Sequence, residues 1–93
     1  MRVRLRVSLK LKGTDVQGNQ FEESAFAENV SLSGFLCACA TQIQLHSILE
    51  VYVSAGRDEY VGEAEVVHAD GNPAPPHRYG CRFREKVEPW VLQ

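Results

Sequence analysis

The chain has 93 residues, of which 44% are hydrophobic and 24% charged, as in an ordinary globular domain. This composition excludes a disordered chain, a collagen-like chain and a disulfide scaffold, and the length suits a single domain. No apolar run approaches the roughly 18 residues of a membrane-spanning helix, and no secretory signal pattern opens the sequence, so we expect no membrane association.

The formal net charge of −2 is unevenly distributed along the chain. Residues 1–12 carry five basic side chains and no acid, a charge of +5, whereas residues 13–93 carry −7. An acidic body argues against long nucleic acid as a partner, because proteins that bind long nucleic acids present broadly basic surfaces. A short basic arm on an acidic body suits a small anionic ligand, an acidic partner, or a solvated terminus without a binding role.

The first elements alternate between apolar and polar residues. Residues 3–12 do so strictly, which predicts a half-buried strand, and breakers at 13–19 predict a turn. Residues 20–28 are predicted to be extended, with Phe26 and Val30 in one phase as candidates for the inner face. The predicted inner face of the first strand consists of Val3, Leu5, Val7, Leu9 and Leu11.

The remaining elements are also predicted to be strands. The apolar run at 34–41 predicts a strand buried on much of both faces, while 42–47 fits either a loop or a strand. Strands are predicted at 48–54 and 59–69, with a turn between them, and the proline-rich segment 70–76 predicts a loop. A last strand would turn Tyr79, Cys81 and Phe83 inward. The tail 85–93 fits either a short helix before Pro89 or an extended segment.

Six short strands separated by turn signals predict an all-β fold, a small sandwich or barrel. The three cysteines, Cys37, Cys39 and Cys81, are odd in number and are expected to be reduced, with Cys37 and Cys39 as small core residues. No histidine lies at metal-ligand spacing from another ligand, so no metal site is predicted. No catalytic constellation or phosphate-binding glycine loop is present, so an enzyme is not expected.

Two short motifs stand out in this pattern. Arg2-Val3-Arg4-Leu5-Arg6 contains Arg-x-x-x-Arg, and Asn29-Val30-Ser31-Leu32-Ser33-Gly34 fits Asn-x-Ser-x-x-Gly just before the apolar strand. Each motif alone is common. Arginine binds phosphate or the guanine O6/N7 pair with two parallel hydrogen bonds and stacks on bases. Short polar side chains, and backbone N–H groups if they point outward from the turn, would complete an anion-binding site.

The two motifs in this order, within a predicted β-barrel, resemble the PilZ domain family along essentially the whole chain. The later segments Gly62–Val67 and Tyr79–Phe83 are similar to strands of that family. The resemblance implies one domain, residues 1–93, folded as a six-stranded antiparallel β-barrel with at most a short C-terminal helix. It implies residues 1–6 as a flexible, arginine-bearing arm.

The resemblance also implies a function. PilZ domains are best known for binding cyclic di-GMP, a bacterial second messenger, without catalysis. We therefore expect a receptor domain in the bacterial cytoplasm that relays ligand occupancy to a partner protein or domain and needs no cofactor. The implied ligand-binding residues are Arg2, Arg6, Asn29, Ser31 and Gly34, with Arg4 as a further candidate because it shares their face in an extended chain.

Two other functions remain open at this point. A degenerate PilZ-like domain would bind a protein instead of nucleotide, for instance through Trp90 and the tail; it is suggested because only Met1 precedes Arg2. In a domain that binds no nucleotide, the arginines would form only the solvent face of a strand, and Asn29 to Gly34 would form only a turn. A barrel that binds single-stranded nucleic acid is disfavoured by the −7 charge of residues 13–93.

Overall fold

A computed structural model of the chain describes residues 6–54 and 56–88. Six strands form in the described part, and no helix does, so none there could span a membrane. Their bounds are β1 Val7–Thr14, β2 Gln20–Glu28, β3 Gly34–Cys39, β4 Ile48–Ser54, β5 Asp58–Ala69 and β6 His77–Phe83.

The strands close into an antiparallel barrel in the order β1-β2-β3-β6-β5-β4. Pairing of Leu9 with Val53 joins β1 to β4, and pairing of Phe35 with Cys81 joins β3 to β6. Closure leaves the sheet without an open edge, which removes the usual risk of edge-to-edge aggregation. The predicted six-stranded barrel is confirmed.

The core fills the inside of this barrel with one alternate set of side chains from every strand. Leu9 and Leu11 of the first strand are fully buried, as the alternation predicts. The cysteines predicted as core residues are also buried, and so is Cys81. The inward set of β6 is the predicted one: Tyr79, Cys81 and Phe83.

Three predictions about strand faces and ends were wrong. Phe26 points outward and is 48% exposed, because β2 buries the small residues Ala25 and Ala27. The β3 strand is buried on one face only, since Leu36 is 44% exposed. The first strand also continues through Gly13, which pairs with Phe21, so the turn is shorter than predicted.

Two side chains stabilise the loop 40–47 between β3 and β4. The Glu23 carboxylate accepts hydrogen bonds from the backbone N–H groups of Ala40 and Thr41 and from the Thr41 hydroxyl. The buried Tyr79 hydroxyl accepts a 2.7 Å hydrogen bond from the Ile43 N–H. The segment that fitted either a loop or a strand is therefore a loop, held through side-chain contacts. The described tail residues 85–88 form no helix, and Pro89 and Trp90 lie outside the described residues.

Candidate functional site

The predicted site residues lie at one end of the barrel. Arg6 immediately precedes β1, where Val7 pairs with Ala27, so Arg6 lies beside the end of β2 that leads into Asn29. The segment 29–34 then connects β2 to β3. Arg2 and Arg4 lie outside the described residues. The structure therefore brings one predicted arginine to the end of the barrel where Asn29 begins the β2–β3 connection.

The β2–β3 connection is a compact turn organised around Ser31. The N–H groups of Ser33 and Gly34 both lie 3.2 Å from Ser31 Oγ, to which they donate, and the Ser31 N–H donates to the Gly34 carbonyl at 2.9 Å. The two serine hydroxyls are 3.0 Å apart. These three N–H groups are thus used within the turn and do not form an outward-facing anion nest. Ser31 acts on the shape of the turn.

Asn29 and Gly34 serve the turn in different ways. Asn29 has a φ of 52°, a left-handed conformation that asparagine tolerates better than most residues. Gly34 is needed for space instead: a Cβ there would lie 2.1 Å from the Cys81 carbonyl oxygen of β6. The glycine therefore permits close approach of β3 to β6.

Arg6 makes a specific contact with the outer surface of β2. Its Cζ lies 4.6 Å from the centroid of the Phe26 ring, within the range of a cation–π interaction. The outward position of Phe26, which the sequence pattern did not predict, thus allows its ring to contact the Arg6 guanidinium. The guanidinium is held on the same side of the barrel as β2 and β3.

The outward residues of β2, β3 and β6 form a mixed apolar and charged surface, here called the β3–β6 face. At its end near the turn lies a pocket of about 230 Å³, here called the Asn29 pocket. Asn29, Ser31 and Gly34 line it together with Leu36 and the exposed Arg82. The β3–β6 face consists of Phe26, Glu28, Leu36, Ala38, Arg78, Gly80 and Arg82.

The charges on the β3–β6 face differ from those elsewhere on the barrel. In β1, the Lys10 Nζ lies 2.6 Å from an Asp58 carboxylate oxygen and 3.2 Å from one of Glu22. Hydrogen bonds to these two carboxylates, first of all to Asp58, raise the pKa of Lys10. By contrast, Arg78 and Arg82 form no ion pair or side-chain hydrogen bond with any residue in 6–54 and 56–88. Arginines that no described residue pairs with, beside an apolar surface, are available to an anionic ligand.

The buried thiols offer no site of their own. A hydrogen bond with Cys81, together with burial, raises the pKa of the Cys37 thiol, and burial raises the pKa of Cys39 to about 12. Such thiols stay protonated and unreactive near neutral pH. No cluster of three or more His, Cys, Asp or Glu side chains in the described ranges could hold a metal ion.

Sequence reasoning identified none of the residues of the β3–β6 face as site residues, including Leu36, Arg78 and Arg82. The alternation of β6 does carry a signal, since Arg78, Gly80 and Arg82 share the outward phase. Leu36 carries none, because it sits inside an uninterrupted apolar run whose phase cannot be read locally.

Comparison with known proteins gives one match. A family model described as PilZ domain matches residues 1–91. No curated protein and no solved structure matches the chain significantly. The matched region includes both motifs and all six strands.

Proposed function

Because the chain belongs to the PilZ domain family, we propose that it is a receptor domain for cyclic di-GMP that relays ligand occupancy to a partner protein or domain. PilZ domains are non-catalytic and typically bind this dinucleotide. A receptor for a bacterial intracellular messenger would act in the bacterial cytoplasm. The observation that carries the proposal is the position of Arg82, which has no ion-pair partner among the described residues, in the Asn29 pocket on the side of the barrel where Arg6 contacts Phe26.

The chemistry of the dinucleotide suits this surface. Cyclic di-GMP has two phosphates and two guanines, and arginine can bond either group with two parallel hydrogen bonds or stack on a base. Arg6 and Arg82 supply such donors at the two sides of the turn. Asn29 adds an amide that both donates and accepts hydrogen bonds.

The remaining motif residues take different roles in this proposal. Arg2 and Arg4 precede Arg6 and would add cationic contacts from the N-terminal arm. Ser31 and Gly34 would act by shaping the turn and by letting β3 approach β6, which keeps Asn29 and Arg82 in one pocket. The three arginines of residues 1–6 would then form a ligand-binding arm.

Isothermal titration calorimetry with cyclic di-GMP tests the proposal. We expect saturable heat with the full chain and a loss of at least about tenfold in affinity for Arg6→Ala, the equivalent of one charge-assisted hydrogen bond. Arg6→Ala should weaken binding at least as much as Arg2→Ala, because Arg6 adjoins the first strand. Lys12→Ala, which removes a cation near β4, is the charge-matched control.

Two results would overturn the proposal. Absence of heat at high micromolar ligand, from a sample shown to be folded by circular dichroism, would favour the alternative of a protein-binding module without nucleotide. Equal affinity of Arg6→Ala and wild type would remove Arg6 from the site.

A further inference from the structure

A second pocket continues from the Asn29 pocket along β3 and β6. It has a volume of about 200 Å³ and is here called the Leu36 pocket. The two pockets share Leu36 and Gly80. Among the described residues, none of either motif lines the Leu36 pocket, so its lining is distinct from Arg6, Asn29, Ser31 and Gly34. Its chemistry nevertheless indicates one kind of occupant.

The floor and one wall of the Leu36 pocket are apolar. A Cβ at Gly80 would lie 3.3 Å from His68 Cβ and 3.5 Å from Leu36 Cδ2, so these two side chains border a bare stretch of β6 backbone. Ala38 adds only a methyl group beside it. Leu36 leaves 44% of its surface exposed at this point. A bare backbone floor next to an exposed leucine suits the face of a planar ring.

The rim of the pocket carries charged groups on opposite sides of β3. Glu28 of β2 pairs with Leu36, and Arg78 of β6 pairs with Ala38. Neither Glu28 nor Arg78 has an ion-pair or hydrogen-bond partner for its side chain among the described residues. Asp70, also at the rim, uses one oxygen to accept the Asn72 N–H at 3.0 Å. The pocket therefore presents a carboxylate and a guanidinium that no side chain in 6–54 or 56–88 pairs with.

This pair of charges distinguishes guanine from adenine. The guanine N1–H and N2 amino group both donate, so that one carboxylate can accept from both, while O6 and N7 accept from arginine. Adenine presents an unprotonated N1 on the same edge, which would face the carboxylate without a proton. A carboxylate on one side and an arginine on the other thus favour guanine.

We propose that the Leu36 pocket is a guanine subsite, in which a base stacks on Leu36 over Gly80, Glu28 accepts from N1–H and the N2 amino group, and Arg78 donates to O6 and N7. The inference rests on the proposed function, since the base belongs to the bound cyclic di-GMP. In this subsite Glu28 sets the preference for guanine.

Calorimetry with cyclic di-GMP and cyclic di-AMP on wild type and Glu28→Gln tests this subsite. A glutamine can accept from the adenine N6 amino group and donate to adenine N1. Glu28→Gln should therefore weaken cyclic di-GMP binding about tenfold. It should also reduce the preference for cyclic di-GMP over cyclic di-AMP by at least the same factor. Glu59→Gln removes an exposed carboxylate from β5 and should leave both affinities at the wild-type values. Ala38→Leu, which fills the pocket, should weaken cyclic di-GMP binding about tenfold or more without lowering the unfolding midpoint.

The outcomes separate the two proposals. If wild type binds cyclic di-GMP and both Glu28→Gln and Ala38→Leu bind it with wild-type affinity and preference, the guanine subsite is wrong and the receptor function stands. If wild type binds neither dinucleotide, the receptor function fails and the subsite falls with it. Reduced preference in Glu28→Gln together with unchanged Glu59→Gln supports the subsite.

Discussion

The Arg6 guanidinium lies over the Phe26 ring, with Cζ 4.6 Å from the ring centroid. Phe26 is 48% exposed and pairs with Ala38 of β3, so the contact lies on the outer surface of the barrel. It holds a cation of the predicted binding arm against the side of the barrel that carries the two pockets. A side chain that is already ordered loses less conformational entropy when it binds a ligand.

Replacing Phe26 by leucine should therefore weaken cyclic di-GMP binding. An exposed cation–π contact contributes about 0.5–1 kcal/mol, so the expected loss in affinity is about two- to fivefold. Calorimetry measures it, with Tyr60→Leu as the control, since Tyr60 is an exposed aromatic residue of β5 outside both pockets. Tighter binding by Phe26→Leu would mean that Arg6 must leave the ring before the ligand binds.

Gly34→Ala should destabilise the fold more than it changes any ligand contact. The added Cβ would lie 2.1 Å from the Cys81 carbonyl oxygen and 3.1 Å from Arg82 Cα, both backbone atoms that move only with β6. We expect a loss of at least about 2 kcal/mol in the free energy of unfolding, measured by urea denaturation.

The matched control for this substitution is Gly80→Ala on the paired strand. There the new methyl group would meet only side-chain atoms, at 3.3 Å and beyond, which can shift by small amounts. Its unfolding midpoint should stay close to wild type. If Gly34→Ala is as stable as Gly80→Ala, the close approach of β3 to β6 does not explain the glycine.

The parts of the fold that sequence reasoning predicted correctly are those with a local signal. Alternation over residues 3–12 places Leu9 and Leu11 inside, and both are fully buried. The face of Phe26 could not be read in this way, because β2 turns the small residues Ala25 and Ala27 inward and Phe26 contacts Arg6, which precedes another strand. Strand order and register likewise depend on contacts distant in sequence.

The candidate site shows the same division. Asn29 and Gly34 could be recognised from their spacing, but the need for glycine comes from Cys81, far along the chain. The use of the Ser33 and Gly34 N–H groups by Ser31 follows from turn geometry that composition does not reveal. Arg78 and Glu28 become neighbours of one pocket only because β3 pairs with both β2 and β6.

Tyr79→Phe should destabilise the barrel although it keeps the ring. The Tyr79 hydroxyl accepts the Ile43 N–H at 2.7 Å, and Ile43 is buried, so the variant leaves a buried donor without its partner. We expect a cost of about 1–3 kcal/mol in urea denaturation. Tyr60→Phe, at a residue 58% exposed, should change stability little. Equal stability of the two variants would show that water replaces the hydroxyl at Ile43.

The buried thiols should make the protein less stable at alkaline pH. Burial raises the pKa of Cys39 in the folded state from about 9.0 to about 12, and a hydrogen bond with Cys81 raises the pKa of Cys37. When the pKa of a thiol is higher in the folded state, its contribution to the free energy of unfolding is complete at a pH below the unfolded-state pKa. That contribution is lost as the pH rises from about 9 toward 12.

The rate at which the thiols react with a disulfide reagent measures how far the fold protects them, because only an accessible thiolate reacts. At about pH 8 the three cysteines should react in the folded protein only as fast as it unfolds, and at once in concentrated urea. Raising the pH should then lower the urea midpoint, and Cys39→Ala, which has no group to ionise at that position, should show a weaker dependence. Rapid labelling of the folded protein, at a rate independent of added urea, would contradict the burial of these side chains.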